Sequence, residues 1–235
     1  MWLAIDTSGM SSSVAVGDPA TGQVAAEVNV RRRRTHSEQL MEHIDTVLHL
    51  AGVEGKSLTG IAVSTGPGSF TGLRIGLATA KVLAYTWQIP IVGVDTLTAY
   101  MYQYQNVDLR ICPLIDAQKG NVYYALAKWK DGQLIRERET EVISLRELAE
   151  TLANSEDASF CVGEQAAWLR KELPQMQGQV QIVADQHAPL RASSLLPAAY
   201  LHWQEQGSDD VFSLIPNYIR RSEAEVLWEQ RQQKK

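Results

Sequence analysis

Two aspartates end apolar, strand-like runs in the two halves of the chain. Asp6 ends the first run and is followed by the hydroxyls of Thr7 and Ser8, and Asp116 ends the run at 111–115. Paired carboxylates can hold the metal ion of a bound nucleotide, and neighbouring hydroxyls can contact its phosphates. The alternative interpretation is that each aspartate only caps its own turn.

A second candidate is the glycine-rich loop at residues 65–74, which follows an apolar run and opens a helical pattern. Gly66 and Gly68 permit backbone angles that a Cβ forbids, and Ser69 or Thr71 can cap the helix. Such a loop either points free N–H groups at an anion or lets two backbone segments pack closely. The glycine spacing misses the dinucleotide pattern by one position and no Walker lysine follows, so both of those nucleotide-binding loops are disfavoured.

The spacing of the histidines and cysteines indicates structural roles for these side chains. The histidines His36, His43 and His49 follow one another at intervals that do not match the i, i+4 spacing of two imidazoles on one metal. We therefore expect surface or capping histidines. Cys112 and Cys161 lie in apolar runs and match neither a disulfide framework nor metal spacing, so we expect reduced core residues.

The helix after the glycine loop carries a strip of small residues. Gly72, Gly76 and Ala80 are spaced by four and share one helical face. A glycine inside a helix costs up to about 1 kcal/mol relative to alanine, so a close contact should offset that cost. The contact is made either with the chain's own sheet or with another subunit, and we expect the second.

The composition is that of a globular protein. The chain has 235 residues, of which 45% are apolar and 21% charged, and its net charge is −5. No apolar run approaches the roughly 20 residues that span a bilayer, and the first six residues lack the features of a signal peptide, so we expect no membrane association and a cytoplasmic location. The acidic balance argues against broad nucleic-acid binding, and the arginines at 31–34 are most simply a solvated run.

These residues must be positioned by two halves of similar design. Three strand-like runs, a helical pattern and then alternating strands and helices follow one another from residue 3, and the same order returns from residue 111. Both halves therefore read β-β-β-α-β-α-β-α. Two such halves, each opening with a strand that aims an aspartate at a shared cleft, predict the two-lobed architecture of actin, sugar kinases and Hsp70-type ATPases, an α/β fold of mixed sheets flanked by helices. We place the lobes at 1–106 and 107–206, followed by a C-terminal segment at 207–235.

Five segments spread over nearly the whole chain carry a family resemblance. They are LAIDTS at 3–8, HSE at 36–38, GPGSFTGLRIG at 66–76, IDA at 115–117 and the pattern Pro216-x-Tyr218-x-Arg220. Together they closely resemble the bacterial TsaB (YeaZ) family, and the glycine-loop segment is highly specific. The resemblance implies the actin-like ATPase (ASKHA) fold and a role in making N6-threonylcarbamoyladenosine (t6A) at position 37 of tRNAs that read codons beginning with A. It also implies pairing with the catalytic subunit TsaD and with the ATPase TsaE, which act on tRNA.

The chain departs from TsaD where TsaD carries its catalytic metal pair. A His-x-x-x-His motif follows the corresponding strand of TsaD, whereas this chain has Thr96 and Tyr100 there. A hydroxyl and a phenol cannot replace two imidazoles on a metal. The adenosine-binding Gly-Gly turn is also reduced, with 162–164 (VGE) the nearest candidate. The resemblance therefore implies a non-catalytic partner with no metal and no cofactor of its own, although ATP or ADP binding by the complex stays open.

The residue assignments that follow are these. A vestigial or weak nucleotide site would consist of Asp6, Thr7, Ser8, Gly66, Gly68 and Asp116. A partner surface would consist of His36, Leu40, His43, Gly72, Gly76 and Ala80, and it would join two copies when TsaD is absent. The rival interpretations are an actin-like kinase or ATPase that uses Asp6 and Asp116, a glycopeptidase-like hydrolase, and a purely structural homodimer.

Overall fold

The computed structural model describes residues 1–31, 36–172, 180–183 and 189–219. Its first half contains strands β1 (Trp2–Asp6), β2 (Ser11–Gly17), β3 (Val24–Arg31), β4 (Gly60–Gly66) and β5 (Ile91–Asp95), with helices α1 (His36–Ala51), α2 (Phe70–Trp87) and α3 (Thr96–Gln103). Its second half contains strands β6 (Arg110–Asp116), β7 (Asn121–Lys130), β8 (Gln133–Ser144), β9 (Ser159–Val162) and β10 (Val180–Ile182), with helices α4 (Leu145–Ala153), α5 (Ala166–Glu172) and α6 (Leu195–Gln206). The predicted element order of both halves is confirmed.

The strands form two five-stranded sheets of the same topology. The first has the order β3-β2-β1-β4-β5 and the second the order β8-β7-β6-β9-β10. In each sheet the opening strand lies antiparallel to the next strand in sequence and parallel to the strand that follows the first helix of its half. The duplication inferred from element order is therefore a duplication of sheet topology, and it places Asp6 and Asp116 at equivalent strand ends.

Side-chain alternation divides the core into three layers. Leu3 and Ile5 of β1 point to the face covered by α1 and α2, whereas Trp2 and Ala4 point to the opposite face. That opposite face packs against α3, α6 and the inner face of the second sheet in one hydrophobic cluster. The outer face of the second sheet packs against α4 and α5. One shared core thus joins the two lobes.

The C-terminal part of the chain returns to the first lobe. The helix α6, which we assigned to the second lobe, packs through Leu195, Leu196 and Ala199 in the cluster that contains Trp2 and Val92 of the first sheet. The second-lobe boundary at residue 206 is therefore corrected, because α6 covers the inner face of the first sheet as well as contacting the second.

Local sequence patterns also account for the start of α2 and for the burial of the two cysteines. Ser69 is the N-cap of α2 and accepts a hydrogen bond from the Gly72 N–H, which settles the choice between Ser69 and Thr71. Cys112 and Cys161 face each other on β6 and β9, and both are buried and free. A hydrogen bond with Cys112, together with burial, raises the pKa of the Cys161 thiol well above its ordinary value, so this thiol stays neutral.

Some predictions lie outside the described residues. The sequence also predicts a capping box at 35–38 and a polar helix at 223–231. Residue 35, the side chains at 36–38 and the whole of 223–231 are not described, and neither are the arginines at 32–34 or Arg220.

Candidate functional site

The end of β1 is buried beneath α2. The Asp6 carboxylate is 1% exposed, and its Oδ1 accepts a hydrogen bond from the Ser8 N–H at 3.1 Å. Thr7 is equally buried, and its hydroxyl donates to the Gly72 carbonyl oxygen at 2.7 Å. Asp6, Thr7 and Ser8, three of the residues proposed to contact a nucleotide, therefore all make hydrogen bonds within the chain.

The glycine loop packs on the same turn. A Cβ on Gly68 would lie 2.5 Å from the Ser8 carbonyl oxygen, and the Ser69 N–H donates to that oxygen at 2.6 Å. Gly66 has a φ of +117°, and a Cβ there would lie 3.0 Å from the Asn217 carbonyl oxygen. Of the two interpretations that the sequence left open, the geometry favours close backbone packing over a free anion-binding loop.

The small-residue strip of α2 faces the chain's own sheet. A Cβ on Gly72 would collide with the Thr7 carbonyl oxygen, a Cβ on Gly76 would collide with the Thr7 hydroxyl, and Ala80 is fully buried. Our expectation that this strip meets another subunit is therefore wrong. The close contact that offsets the two helix glycines is the approach of α2 to the end of β1.

The other proposed partner residues lie on α1 and are also corrected in part. Leu40 is 1% exposed and belongs to the core beneath α1, so it cannot contact a partner without unfolding. The His43 Nδ1 lies 3.3 Å from the Ser12 hydroxyl in a partly buried hydrogen bond. The side chain of His36 lies outside the described residues.

Asp116 has a different environment from Asp6. Its side chain is exposed, and its Oδ1 accepts a hydrogen bond from the Gln118 N–H at 2.8 Å within the β6–β7 turn. The turn-capping interpretation accounts for this contact. Asp6 lines the cavity between the lobes, and Asp116 is not among the residues that line this cavity.

The cavity between the lobes is small and rich in oxygen atoms. It has room for about one water molecule. Its lining comes from both halves and consists of Asp6, Ser8, Gly9, Met10, Ser11, Thr96, Tyr100, Ile115, Glu164 and Leu190. Thr96 and Tyr100, the positions that correspond to the metal pair of TsaD, both face this cavity. Within the described ranges, no group of three or more His, Cys, Asp or Glu side chains is arranged to hold a metal ion.

Glu164 crosses from the second lobe to the first. Its Oε1 accepts a hydrogen bond from the Met10 N–H at 3.0 Å. The sequence marked residues 162–164 only as a reduced adenosine turn, and the acidic residue beside Gly163 was the signal that could have drawn attention to this contact.

Two further contacts hold the lobes together. The Arg191 guanidinium reaches Glu27 of β3 at 2.5 and 2.8 Å, and the same carboxylate accepts the Ser193 N–H at 3.0 Å. Arg136 of β8 lies 3.7 Å from Asp95, the N-cap of α3. Burial raises the pKa of Asp95, although hydrogen bonds from Thr98 and the nearby Arg136 act in the opposite direction.

The C-terminal segment at 207–219 docks on the first lobe. The Asp209 carboxylate accepts the Gly93 N–H at 2.7 Å, and the Asn217 N–H donates to the Thr65 carbonyl oxygen at 2.7 Å. The Tyr218 ring stacks on Phe70 with ring centroids 4.6 Å apart. The sequence predicts that the segment from residue 216 is extended and docked, and its contacts with the first lobe confirm this as far as Tyr218.

The outer surface of the first lobe is formed by α1 and α2, and it exposes large apolar side chains. Met41 and Leu50 of α1 are 54% and 63% exposed, and Val82 and Tyr85 of α2 are 63% and 58% exposed. We call these four residues the outer apolar face. Exposed apolar side chains that form a contiguous patch commonly mark interaction sites. Among the described residues, no helix is long and apolar enough to cross a membrane.

The fold and the site together define a class. Two lobes of identical sheet topology, each opening with a strand that ends in aspartate, form the actin-like ATPase fold, and the cavity described between these lobes has room for about one water molecule. A family model described as "TsaD: tRNA N6-adenosine threonylcarbamoyltransferase" matches residues 24–228. The chain is 32% identical to the tRNA threonylcarbamoyladenosine biosynthesis protein TsaB of Bacillus subtilis, over 96% of both chains. It belongs to the TsaB family, and this membership indicates a role in t6A biosynthesis.

Two further comparisons agree with this assignment. YeaZ from Pseudomonas aeruginosa has a similar solved structure, with a TM-score of 0.76 and 25% identity over 93% of this chain and 99% of that one. A tRNA N6-adenosine threonylcarbamoyltransferase of Rhodopirellula baltica is 37% identical over 93 residues, which are 40% of this chain and 24% of the transferase. The likeness to that transferase therefore covers only part of each protein.

Proposed function

We propose that this chain is the non-catalytic subunit of the complex that forms t6A at position 37 of tRNAs reading codons that begin with A. In this proposal it pairs with a TsaD-type catalytic subunit and activates it. A TsaE-type ATPase completes the complex, tRNA is bound through the complex, and two copies of the chain pair when the catalytic subunit is absent. Because tRNA is modified in the cytoplasm, the chain acts there.

The observation that supports the non-catalytic role is the small size of the cavity described between the lobes. Thr96 and Tyr100 face a cavity with room for about one water molecule, which is too small for a nucleotide. The hydroxyl of Thr7 and the backbone of Ser8 make hydrogen bonds with α2 and its preceding loop. These contacts support the inference that the isolated chain neither hydrolyses ATP nor modifies tRNA.

The outer apolar face supports the pairing role. Its four side chains lie on α1 and α2, which pack side by side over the core of the first lobe. Large apolar and aromatic side chains are the usual anchors of stable interfaces. This surface replaces the buried strip of Gly72, Gly76 and Ala80 as the proposed partner surface.

The test separates pairing from folding. The change Val82→Asp places a charge on the outer apolar face without touching the core, and we expect at least a tenfold loss of affinity for a TsaD-type subunit, which is about 1.4 kcal/mol. Affinity is measured by analytical ultracentrifugation, and t6A formation is measured with the reconstituted complex. The melting temperature of the monomer should be unchanged.

The matched control is Ala153→Asp, which places the same charge on an exposed position of α4 in the second lobe. This variant should pair and support t6A formation as the wild type does. Undiminished pairing and tRNA modification by the Val82 variant would refute the assignment of the partner surface. ATP turnover or tRNA modification by the pure wild-type chain would refute the non-catalytic role.

A further inference from the structure

A groove of about 540 Å³ lies between the C-terminal end of α2 and the segment at 208–212. It is lined by residues between 84 and 91 and by residues 208–212, and it shares no described lining residue with the cavity between the lobes. Its volume falls within the range of about 300 to 1,000 Å³ that is typical of binding pockets. The groove is therefore a separate candidate site that is large enough to receive a side chain.

Two aromatic rings line this groove. The ring centroids of Tyr85 and Phe212 lie 5.7 Å apart, with the ring planes at 68° to each other. The two side chains are 58% and 75% exposed. Because the faces of aromatic rings carry partial negative charge, a pair of rings that is open to solvent suits a cation.

Two carboxylates line the same groove. The Asp209 Oδ2 accepts the Gly93 N–H at 2.7 Å, and the Asp210 Oδ2 accepts the Ser213 N–H at 2.9 Å. Hydrogen bonds from Ser213 and from the Phe212 N–H lower the pKa of Asp210, so its carboxyl group is ionised at neutral pH. These backbone contacts hold both carboxylates in place, and each carboxylate can accept further hydrogen bonds.

The C-terminal end of α2 adds to the negative potential of the groove. Ala84 and Tyr85 of its last turn and the C-cap residue Gln88 belong to the lining, and α2 carries no basic residue in that turn. The carbonyl groups at the C-terminal end of a helix carry partial negative charge and favour a cation. The rings, the carboxylates and the helix end thus all favour the same kind of ligand.

Cationic side chains of the chain lie near these carboxylates but do not line the groove. The Lys81 Nζ donates to the carbonyl oxygens of Phe212 and Leu214 at 3.1 and 3.0 Å, and the His202 Nε2 lies 3.9 Å from the Asp209 Oδ1. Among the described lining residues none is Lys, Arg or His. The groove therefore favours a cation supplied from outside the chain.

We propose that this groove binds an arginine side chain of a partner polypeptide. The planar guanidinium group can stack on an aromatic ring while its N–H groups donate to a carboxylate, so one side chain uses both features of the lining. Tyr85 also belongs to the outer apolar face, so the groove lies at the edge of that surface. The site belongs to the isolated chain, so its test does not depend on pairing with a TsaD-type subunit.

The test is a titration of the full chain with the peptide acetyl-Gly-Arg-Gly-amide. The NMR signals of the Gly93 and Ser213 amides report on the two carboxylates. A single side chain binds weakly, so we expect saturable shifts with a Kd on the order of millimolar. The matched probe has citrulline in place of arginine, which keeps the shape and removes the charge, and it should bind at least tenfold more weakly.

Two variants test the two features of the lining. Asp210→Asn keeps an acceptor for the Ser213 N–H but removes the charge, and Phe212→Leu keeps an apolar side chain but removes the aromatic face. Each change should weaken binding of the arginine peptide about twofold to fivefold, and the double variant should weaken it about tenfold. The Gly93 amide should stay protected from hydrogen exchange in each variant, which shows that the segment remains docked.

The matched controls make the same changes on the second lobe. Glu150→Gln removes an exposed charge from α4, and Trp168→Leu removes an exposed aromatic ring from α5. Both variants should bind the arginine peptide as the wild type does.

Three results would overturn the proposal. The absence of saturable shifts with the arginine peptide would show that the groove does not bind this side chain. Equal binding of the citrulline peptide would show that the groove selects shape or apolar surface and not a cation. Undiminished binding by the double variant would place the arginine elsewhere on the chain.

Discussion

The outer helices of the two lobes differ in what they expose, although they lie on sheets of the same topology. In the first lobe, α1 and α2 present Met41, Leu50, Val82 and Tyr85 to solvent. In the second lobe, the exposed side of α4 carries Arg146, Glu147 and Glu150, with an ion pair between the first and the last at 3.3 Å. The exposed apolar side chains of α1 and α2 thus have no counterpart on α4, whereas Trp168 on α5 is also exposed, so topology alone does not assign the partner surface.

The turns after the two opening strands differ just as much. Asp6 is buried beneath α2 and faces the cavity, whereas Asp116 is exposed on its hairpin. Both carboxylates accept a backbone N–H from two residues further on. The same local turn therefore becomes part of the core in one lobe and remains on the surface in the other, because in the first lobe the glycine-bearing helix α2 packs onto it.

A large side chain in the small-residue strip of α2 should destabilise the folded first lobe. In Gly76→Leu the new side chain meets the Thr7 hydroxyl at the buried end of β1, and overpacking of this kind costs up to about 3 kcal/mol. For a chain of this size, that cost corresponds to a fall in melting temperature of about 6 to 12 °C. Differential scanning calorimetry of the monomer measures it. The change Ala78→Leu, on the exposed side of the same helix, should leave the melting temperature nearly unchanged, and equal melting of the two variants would contradict the packing described.

Removal of the carboxylate at the end of β1 should lower the free energy of unfolding more than removal of the carboxylate at the end of β6. Asp6→Ala leaves a buried N–H of Ser8 without its acceptor and should lower the free energy of unfolding by about 2 kcal/mol. Asp116→Ala removes an equivalent hydrogen bond in an exposed turn, where water replaces the acceptor, and should cost about 0.5 kcal/mol. Urea unfolding of both variants measures the difference, and costs of equal size would show that burial does not distinguish the turns.

The contributions of two acidic residues at helix N-termini to the stability of the fold should change in opposite directions with pH. Burial raises the pKa of Asp95 at the start of α3 above 3.8, so ionisation disfavours the folded state and stability falls as the pH rises through the raised value. Hydrogen bonds from Ser144 lower the pKa of Glu147 at the start of α4 below 4.5, so its contribution is present above that value and is lost as the pH falls.

The measurement compares Asp95→Asn and Glu147→Gln with the wild type by urea unfolding from about pH 3 to about pH 7. As the pH rises, the wild type should lose stability relative to Asp95→Asn and gain stability relative to Glu147→Gln. Differences with the same sign of slope in both comparisons would contradict the opposite pKa shifts.

Local patterns in the sequence predicted the elements and their order. The strand-like runs, the Ser69 cap and the burial of Cys112 and Cys161 depend on neighbouring residues or on one face of one element, so spacing and hydropathy suffice. The direction of the α2 strip was not predictable in this way. Small residues at a period of four indicate a close contact but do not identify what makes it, and Thr7 lies 65 residues before Gly72.

The closure of the space between the lobes was not predictable either. The contact between Met10 and Glu164 spans 154 residues, and that between Glu27 and Arg191 spans 164. Neither pair is marked by any spacing, because each joins residues that are distant in the sequence. The family resemblance identified the fold and the class of function, whereas the three-dimensional packing is what shows Glu164 in the cavity.

The return of α6 to the first sheet has a consequence for synthesis on the ribosome. The inner face of that sheet carries Trp2 and Val92, and it is fully covered only when residues 195–206 have joined α3 and the second sheet. The N-terminal lobe, although translated first, therefore cannot finish folding until nearly the whole chain has emerged from the exit tunnel. Until then it exposes an apolar sheet surface, as incomplete folding intermediates do. A fragment cut at residue 106 would retain that exposed surface permanently, so the two lobes mature as a single unit.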